Sequence, residues 1–177
     1  MHIKLPQTLW FFFIGTLCLV MKAWHMGSTH EDLLFMLGPL NFLLEISHAS
    51  QGFFDPEIGY QHPALNIVID KSCSGFNFWI ISFAAISSLK LKSGQVPFPG
   101  ALGIMRFVLL SYLITLLANY SRITVAIQSL HLADRLPWLG SDWFHQASGS
   151  FTYLCCLLLA YFFLDQRSNK TAHAQPA

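Results

Sequence analysis

Four long runs of apolar residues constrain the fold of this chain more than any other feature. They cover about residues 8–24, 74–89, 101–120 and 148–165. A transmembrane helix needs roughly 20 mostly apolar residues, and each run approaches that length. The pattern predicts an all-α, polytopic integral membrane protein with about four transmembrane helices.

The composition agrees with this class. Hydrophobic residues make up 54% of the 177 residues and charged residues only 11%, whereas an ordinary soluble domain carries about 25% charged residues. The net charge of +1 argues against nucleic-acid binding, because no basic stripe is present to neutralise phosphates. We expect one membrane-embedded domain over residues 1–166 and a polar, disordered tail over 167–177. No small-x-small cleavage site follows the first run, so we expect a retained span rather than a signal peptide.

The shorter apolar run Leu33–Ile46 differs from the other four. It is interrupted by Gly38, Pro39 and Asn41. A proline, and the restriction that it places on the preceding residue, predicts a break in the middle of this run. Since short apolar stretches are typical of re-entrant or interfacial segments, we expect a re-entrant or interfacial hairpin that does not cross the membrane.

Basic residues predict the orientation of the spans. If Leu33–Ile46 does not cross, both termini lie in the cytoplasm, and so do five basic residues near the span ends: Lys4, Lys90, Lys92, Arg167 and Lys170. This threading places three chemically complementary residues at the opposite, non-cytoplasmic face, each at the end of a different span: Cys73, Arg122 and His145.

Cys73 lies in the polar segment DKSCSG (residues 70–75), directly before the second run. Ser72 or Ser74 is expected to cap the following helix and to leave its positive dipole end near the sulfur. That setting favours the thiolate, as would the charge of Lys71, and Gly75 lets a substrate backbone approach closely. An inert small residue at a helix start is an equally good interpretation. The other three cysteines lie inside apolar runs, as small buried hydrophobes do: Cys18, Cys155 and Cys156.

Arg122 ends the sequence Asn119-Tyr-Ser-Arg122, which follows the third apolar run. An arginine at a membrane boundary often extends toward lipid headgroups. The functional alternative is a fixed cation that stabilises an oxyanion or orients a carbonyl or carboxylate. Asn119 lies one turn earlier on the same helical face and is expected to bind the same group.

His145 stands before the fourth run, with Ser141 as a candidate helix cap. Its imidazole suits general acid–base chemistry near neutral pH. It is one of eight histidines, which are scattered through loops and interfaces without an HxxxH or HxxE pair. We therefore predict no metal, haem or other cofactor.

The order of these elements resembles the exosortase/archaeosortase family. Cys73-Ser74-Gly75 opens one span, Asn119-x-x-Arg122 closes the next, and His145 with Gly149 opens the last. The resemblance covers about residues 65–165, and the short chain is most similar to a compact, exosortase K-type member.

The resemblance implies a membrane-embedded cysteine transpeptidase or protease in a bacterial inner membrane, with its active site on the non-cytoplasmic side. Its partner would be an exported protein with a C-terminal sorting signal, which consists of a short motif such as Pro-Glu-Pro, a transmembrane helix and a basic cluster. Cys73 would be the nucleophile, Arg122 the electrostatic stabiliser and His145 the acid–base. Three further residues would support substrate binding: Ser74, Gly75 and Asn119.

Other functions stay open at this point. A non-catalytic transporter subunit or assembly partner is the main alternative, although transporters more often carry polar residues at the bilayer midplane. A thiol oxidoreductase would need a second exposed cysteine. A lipid-modifying acyltransferase would use an outer histidine and would not need Cys73.

Overall fold

A computed structural model describes residues 7–92, 101–133, 149–163 and 166, and these are mostly helical. The α-helices are α1 (Gln7–Gly27), α2 (Leu34–His48), α3 (Phe76–Lys92), α4 (Ala101–Ala133) and α5 (Gly149–Phe163). The chain between α2 and α3 forms a small sheet of three strands: β1 (Phe53–Asp55), β2 (Gly59–His62) and β3 (Ile67–Ile69). Two short 3₁₀ helices flank β3, at Pro63–Leu65 and Lys71–Ser74.

Within the described residues, three helical segments are long and apolar enough to cross a membrane: Thr8–Gly27, Lys71–Leu89 and Leu102–Gln128. They match the first three predicted runs. The described part of α5 is apolar but shorter, and residues 148, 164 and 165 of the fourth predicted run lie outside the described residues. The crossing of a bilayer by these helices stays a prediction.

The long helices bury small polar side chains and expose large apolar ones. Ser82 of α3 is buried, as are Ser111 and Thr115 of α4, whereas Leu19 and Leu117 are more than half exposed. The Ser111 and Thr115 hydroxyls donate to backbone carbonyls one turn earlier in α4, at 2.9 Å and 2.8 Å. Small residues between helices and large apolar residues outside are typical of packing in lipid.

Helix α4 is much longer than predicted. It has 33 residues and spans about 50 Å at the rise of an α-helix, so Arg122 lies inside the helix and not after its end. The prediction that the third span ends before Arg122 is wrong. The helix continues because Ile123 and Ile127 are buried in the hydrophobic core beyond the apolar run.

Helix α2 is one continuous helix that contains Pro39, so the predicted break and hairpin are wrong. Pro39 has no N–H to donate to the carbonyl of Phe35, four residues earlier. The Tyr112 hydroxyl of α4 donates to that carbonyl instead, and the rings of Phe35 and Tyr112 stack with centroids 6.4 Å apart. A tertiary hydrogen bond thus replaces the helical one that the proline removes.

The sheet corrects the prediction of an all-α chain. Its strands form an antiparallel meander in the order β1-β2-β3. The β1–β2 turn carries Pro56, and the Asp55 side chain accepts a hydrogen bond from the Glu57 N–H at 2.8 Å. Gly59 ends the turn with φ = 104°, and a Cβ there would lie 2.4 Å from the Ile69 carbonyl oxygen. Only glycine fits this conformation and this close approach.

The hydrophobic core lies where α2 and the sheet pack against α3 and α4. We call residues 28–75 the cap. Its buried apolar side chains contact Phe76 of α3 and Ile123 and Ile127 of α4. Several of these cap side chains have no exposed surface: Leu33, Met36, Leu37, Leu40 and Leu44. The segment predicted to be interfacial is therefore packed against protein along one face.

A buried polar cluster holds the cap together between α2 and β2. The Glu45 carboxylate accepts hydrogen bonds from the Asn41 side chain and from the Gly52 N–H, both at 3.0 Å. His62 has no exposed surface, and its Nδ1 lies 3.2 Å from the Ser50 hydroxyl. Burial lowers the pKa of His62 below its usual 6.5, although the charge of Glu45 acts in the opposite direction.

The link between Pro39 and Tyr112 predicts a coupled pair. Tyr112→Phe keeps the stacked ring but removes the donor to the Phe35 carbonyl, and should lower the free energy of unfolding by about 1 kcal/mol. In a Pro39→Ala background residue 39 regains its N–H, so the same change should cost less. A double-mutant cycle in detergent micelles measures the difference. Strictly additive effects would contradict this account of the continuous helix.

The buried His62 predicts acid sensitivity. Because its folded-state pKa lies below 6.5, the unfolded chain binds a proton that the folded chain does not, and stability falls as pH decreases below about 6.5. The slope contributed by one such group is at most about 1.4 kcal/mol per pH unit. His62→Gln should reduce the slope of the unfolding free energy between about pH 7 and 5. The control His30→Gln replaces a histidine that is not among the groups acting on the pKa of His62, and an equal slope in both variants would refute the assignment.

Candidate functional site

Cys73 lies in the 3₁₀ helix Lys71–Ser74, between β3 and α3. The Asp70 carboxylate caps this short helix by accepting from the Cys73 N–H at 3.1 Å, and it also accepts from the Ser72 hydroxyl at 2.6 Å. The Ser74 hydroxyl accepts from the Phe76 N–H at 3.3 Å and so takes the expected capping role at the start of α3. Ser72 is engaged with Asp70 instead.

Burial of the half-buried Cys73 sulfur acts most strongly against its ionisation, and two opposite charges act on it as well. Burial of Asp70 opposes its ionisation, but hydrogen bonds from Ser72 and Cys73 outweigh burial and lower the pKa of Asp70. Asp70 is therefore a carboxylate near neutral pH and acts against a thiolate. The Arg122 guanidinium acts in favour of the thiolate, but burial and Asp70 outweigh it, so the expectation that this setting favours the thiolate is wrong.

Lys71 does not have the role expected from the sequence. Its ammonium group donates to the backbone carbonyls of Met26 and Ser28 at 3.2 Å and 2.7 Å, at the end of α1. It therefore anchors the Cys73 segment to α1.

Asn119 joins the Cys73 segment to α4. Its side chain has no exposed surface, and its Nδ2 donates to the Cys73 carbonyl oxygen. Gly75, with φ = 73°, lets the two segments come this close, because a Cβ there would lie 3.1 Å from Asn119 Cγ. Gly75 thus serves packing in this structure, and its role in substrate access stays a prediction.

Arg122 lies one turn after Asn119, on the helical face that the sequence predicted. Its Nη1 donates to the Tyr153 hydroxyl of α5 at 3.2 Å, and its Cζ lies 5.3 Å from the centroid of the Tyr153 ring. At Gly149, one turn earlier in α5, a Cβ would lie 2.8 Å from Arg122 Nε. The guanidinium is thus held against α5 and does not extend freely toward headgroups.

Tyr153 is the site residue that the sequence did not predict. Its hydroxyl donates to Asn119 Oδ1 at 2.7 Å, and its ring stacks on Phe78 with centroids 4.5 Å apart. In the sequence it is one of two tyrosines in the fourth apolar run, and nothing distinguishes it from Tyr161. Its side-chain contacts are the signal, and they appear only in the folded protein.

The structure brings together Cys73, Ser74, Gly75, Asn119 and Arg122. His145 lies outside the described residues, so its place in the site stays a prediction. Over the described part of the chain, no group of three or more His, Cys, Asp and Glu side chains is arranged to hold a metal ion. The chemistry that these side chains offer is a thiol, a cation and a set of amide and hydroxyl hydrogen-bonding groups.

Comparisons with protein-family models, with curated proteins and with solved structures give no match. The functional interpretation therefore depends on the motifs in the sequence and on the geometry of the site.

The close packing at Gly75 predicts a large effect for a small change. Gly75→Ala forces a side chain into a positive-φ position and against Asn119, and should lower the free energy of unfolding by about 1–3 kcal/mol. Gly15→Ala in α1 is a matched control, because a Cβ there meets no atom within 4 Å. Chemical unfolding in micelles measures both variants. Equal stability of the two variants would show that the approach of Asn119 to Gly75 is not as tight as described.

Proposed function

We propose that this protein is a membrane-embedded cysteine transpeptidase or protease of the exosortase kind. Its substrate would be an exported protein with a C-terminal sorting signal of a short motif, a transmembrane helix and a basic cluster. In this proposal the chain spans a bacterial inner membrane about four times, with both termini in the cytoplasm. The site then faces the non-cytoplasmic side.

One observation carries the proposal: Asn119 and Arg122, one turn apart on α4, share the Tyr153 hydroxyl, and Asn119 contacts the segment that holds Cys73. Asn119 binds the Cys73 carbonyl, and the charge of Arg122 acts on the sulfur. These residues are 46 or more positions apart in sequence. A nucleophile and an electrostatic stabiliser in one site are the core of covalent acyl transfer.

The proposed reaction begins when His145 takes the proton of the Cys73 thiol, and the resulting thiolate attacks a backbone carbonyl carbon of the substrate. The carbonyl oxygen becomes an oxyanion, which the Arg122 guanidinium stabilises. The tetrahedral intermediate collapses, the peptide C–N bond breaks, and His145 gives a proton to the departing amine of the C-terminal fragment. The remaining acyl group is a thioester on Cys73. Water or an acceptor amine gives a proton to His145 and attacks the thioester carbonyl carbon. The C–S bond then breaks, the acyl group leaves as an acid or an amide, and His145 returns the proton to the Cys73 sulfur.

The position of the site suits a substrate that is itself anchored in the membrane. Cys73 lies near the end of the cap and just before α3, so it lies where the cap meets a long apolar helix. A sorting signal with its own transmembrane helix would hold the scissile peptide bond at the depth of this boundary. Such positioning makes the attack effectively intramolecular.

Mutation of the proposed residues tests the function. The assay follows cleavage of a co-expressed exported protein that carries the sorting signal. Cys73→Ala and Cys73→Ser should abolish cleavage, because the nucleophile is lost. Arg122→Ala should slow cleavage by about 10²–10³-fold, and His145→Ala by about 10²–10⁴-fold.

Cys156→Ala provides the matched control, since Cys156 is another half-buried cysteine, but on α5. It should retain normal cleavage. Normal cleavage in the Cys73→Ala variant would exclude the cysteine mechanism and would favour a non-catalytic membrane protein.

A further inference from the structure

We propose that Tyr153 is the positioning residue of this site, and that its hydroxyl ties the Arg122 guanidinium to the segment that holds Cys73. The roles of Cys73 and Arg122 rest on the proposed function. The position of Arg122 can nevertheless be measured without any substrate, so the two proposals can fail separately.

The Tyr153 hydroxyl makes two hydrogen bonds of opposite direction. It donates its proton to Asn119 Oδ1 at 2.7 Å and accepts from Arg122 Nη1 at 3.2 Å. A phenol has one proton to donate and lone pairs to accept, so a single side chain serves both partners. Asn119 donates in turn to the Cys73 carbonyl. A continuous chain of hydrogen bonds therefore connects the backbone of Cys73 to the guanidinium.

The ring of Tyr153 is fixed by the helices around it. It stacks on the buried Phe78 of α3, with an angle of 15° between the ring planes and centroids 4.5 Å apart. The Arg122 Cζ lies 5.3 Å from the same ring, within the range of a cation–π contact. Packing between α3, α4 and α5 thus sets where the hydroxyl points.

Gly149 completes the place that Arg122 occupies. Residues four apart lie on one face of a helix, and Gly149 and Tyr153 have this spacing. A Cβ at Gly149 would lie 2.8 Å from Arg122 Nε, so the arginine side chain crosses α5 directly against the glycine backbone. The glycine accommodates the side chain and the tyrosine holds its charged end, which preorganises the cation.

The test compares two alkylating reagents on Cys73 in the purified full-length protein in lipid nanodiscs. Iodoacetate and iodoacetamide are similar in size and attack the same thiolate, but only iodoacetate is negatively charged. The ratio of their rates reports the positive potential at the sulfur, because thiolate fraction and access affect both rates alike. Mass spectrometry of the peptide that contains Cys73 separates this thiol from the other cysteines.

Tyr153→Phe keeps the ring and removes both hydrogen bonds. It should lower the iodoacetate-to-iodoacetamide ratio about threefold, toward the ratio of Arg122→Gln, because a mobile guanidinium spends less time near the sulfur. Tyr161→Phe is the matched control on the same helix, since Tyr161 is 46% exposed, and it should keep the wild-type ratio. With the purified protein and a purified sorting-signal substrate in the same nanodiscs, Tyr153→Phe should lower kcat and leave KM unchanged.

A wild-type ratio in Tyr153→Phe overturns the proposal, and so does a wild-type ratio in Arg122→Gln. If Tyr153→Phe does not fold, Gly149→Ala decides instead. It displaces Arg122 Nε and should lower the ratio, whereas an unchanged ratio overturns the proposal. Normal cleavage by Cys73→Ala would reject the proposed function and leave the charge measurement valid.

Discussion

The hydrogen bonds of Asn119 are the interaction on which the arrangement of the helices around the site depends. A buried amide that lacks a partner costs about 1–3 kcal/mol, and Asn119 has no exposed surface. Its two ends are satisfied by different elements, the Cys73 carbonyl before α3 and the Tyr153 hydroxyl of α5. The need to pair one side chain therefore fixes α3 and α5 relative to α4.

The need to give each polar group a hydrogen-bond partner also links the cap to the long helices. Pro39 leaves the Phe35 carbonyl without its helical donor, and Tyr112 of α4 supplies one. Apolar burial acts alongside, since Ile69 of β3 and Ile123 of α4 lie in one core. Cys73 follows β3 by a few residues, and Ile123 directly follows Arg122. The core of the cap thus sets the distance between the thiol and the cation.

The sequence predicted the parts of the structure that depend on local pattern. Long apolar runs located the helices, and the three-residue spacing placed Asn119 and Arg122 on one face. Parts that depend on distant partners were missed or wrong. Pro39 does not break α2, because a tertiary donor replaces the lost bond. The strands have only three or four residues, too few for a clear alternation. Tyr153 differs from Tyr161 only through its contacts.

The site also differs from the rest of the cap in how completely its buried polar side chains are hydrogen-bonded. Among the described residues, Asn41 Oδ1 and His62 Nε2 are buried without hydrogen-bond partners, whereas the side-chain amide of Asn119 is paired at both ends. Coupled hydrogen bonds strengthen one another in a low-dielectric setting. The chain of hydrogen bonds from Cys73 to Arg122 connects the 3₁₀ helix Lys71–Ser74 to α4 and α5. None of these three helices can therefore shift relative to the others without breaking a hydrogen bond. Rigidity of this kind keeps a cation in place before a negative charge develops, which is what stabilisation of an oxyanion requires.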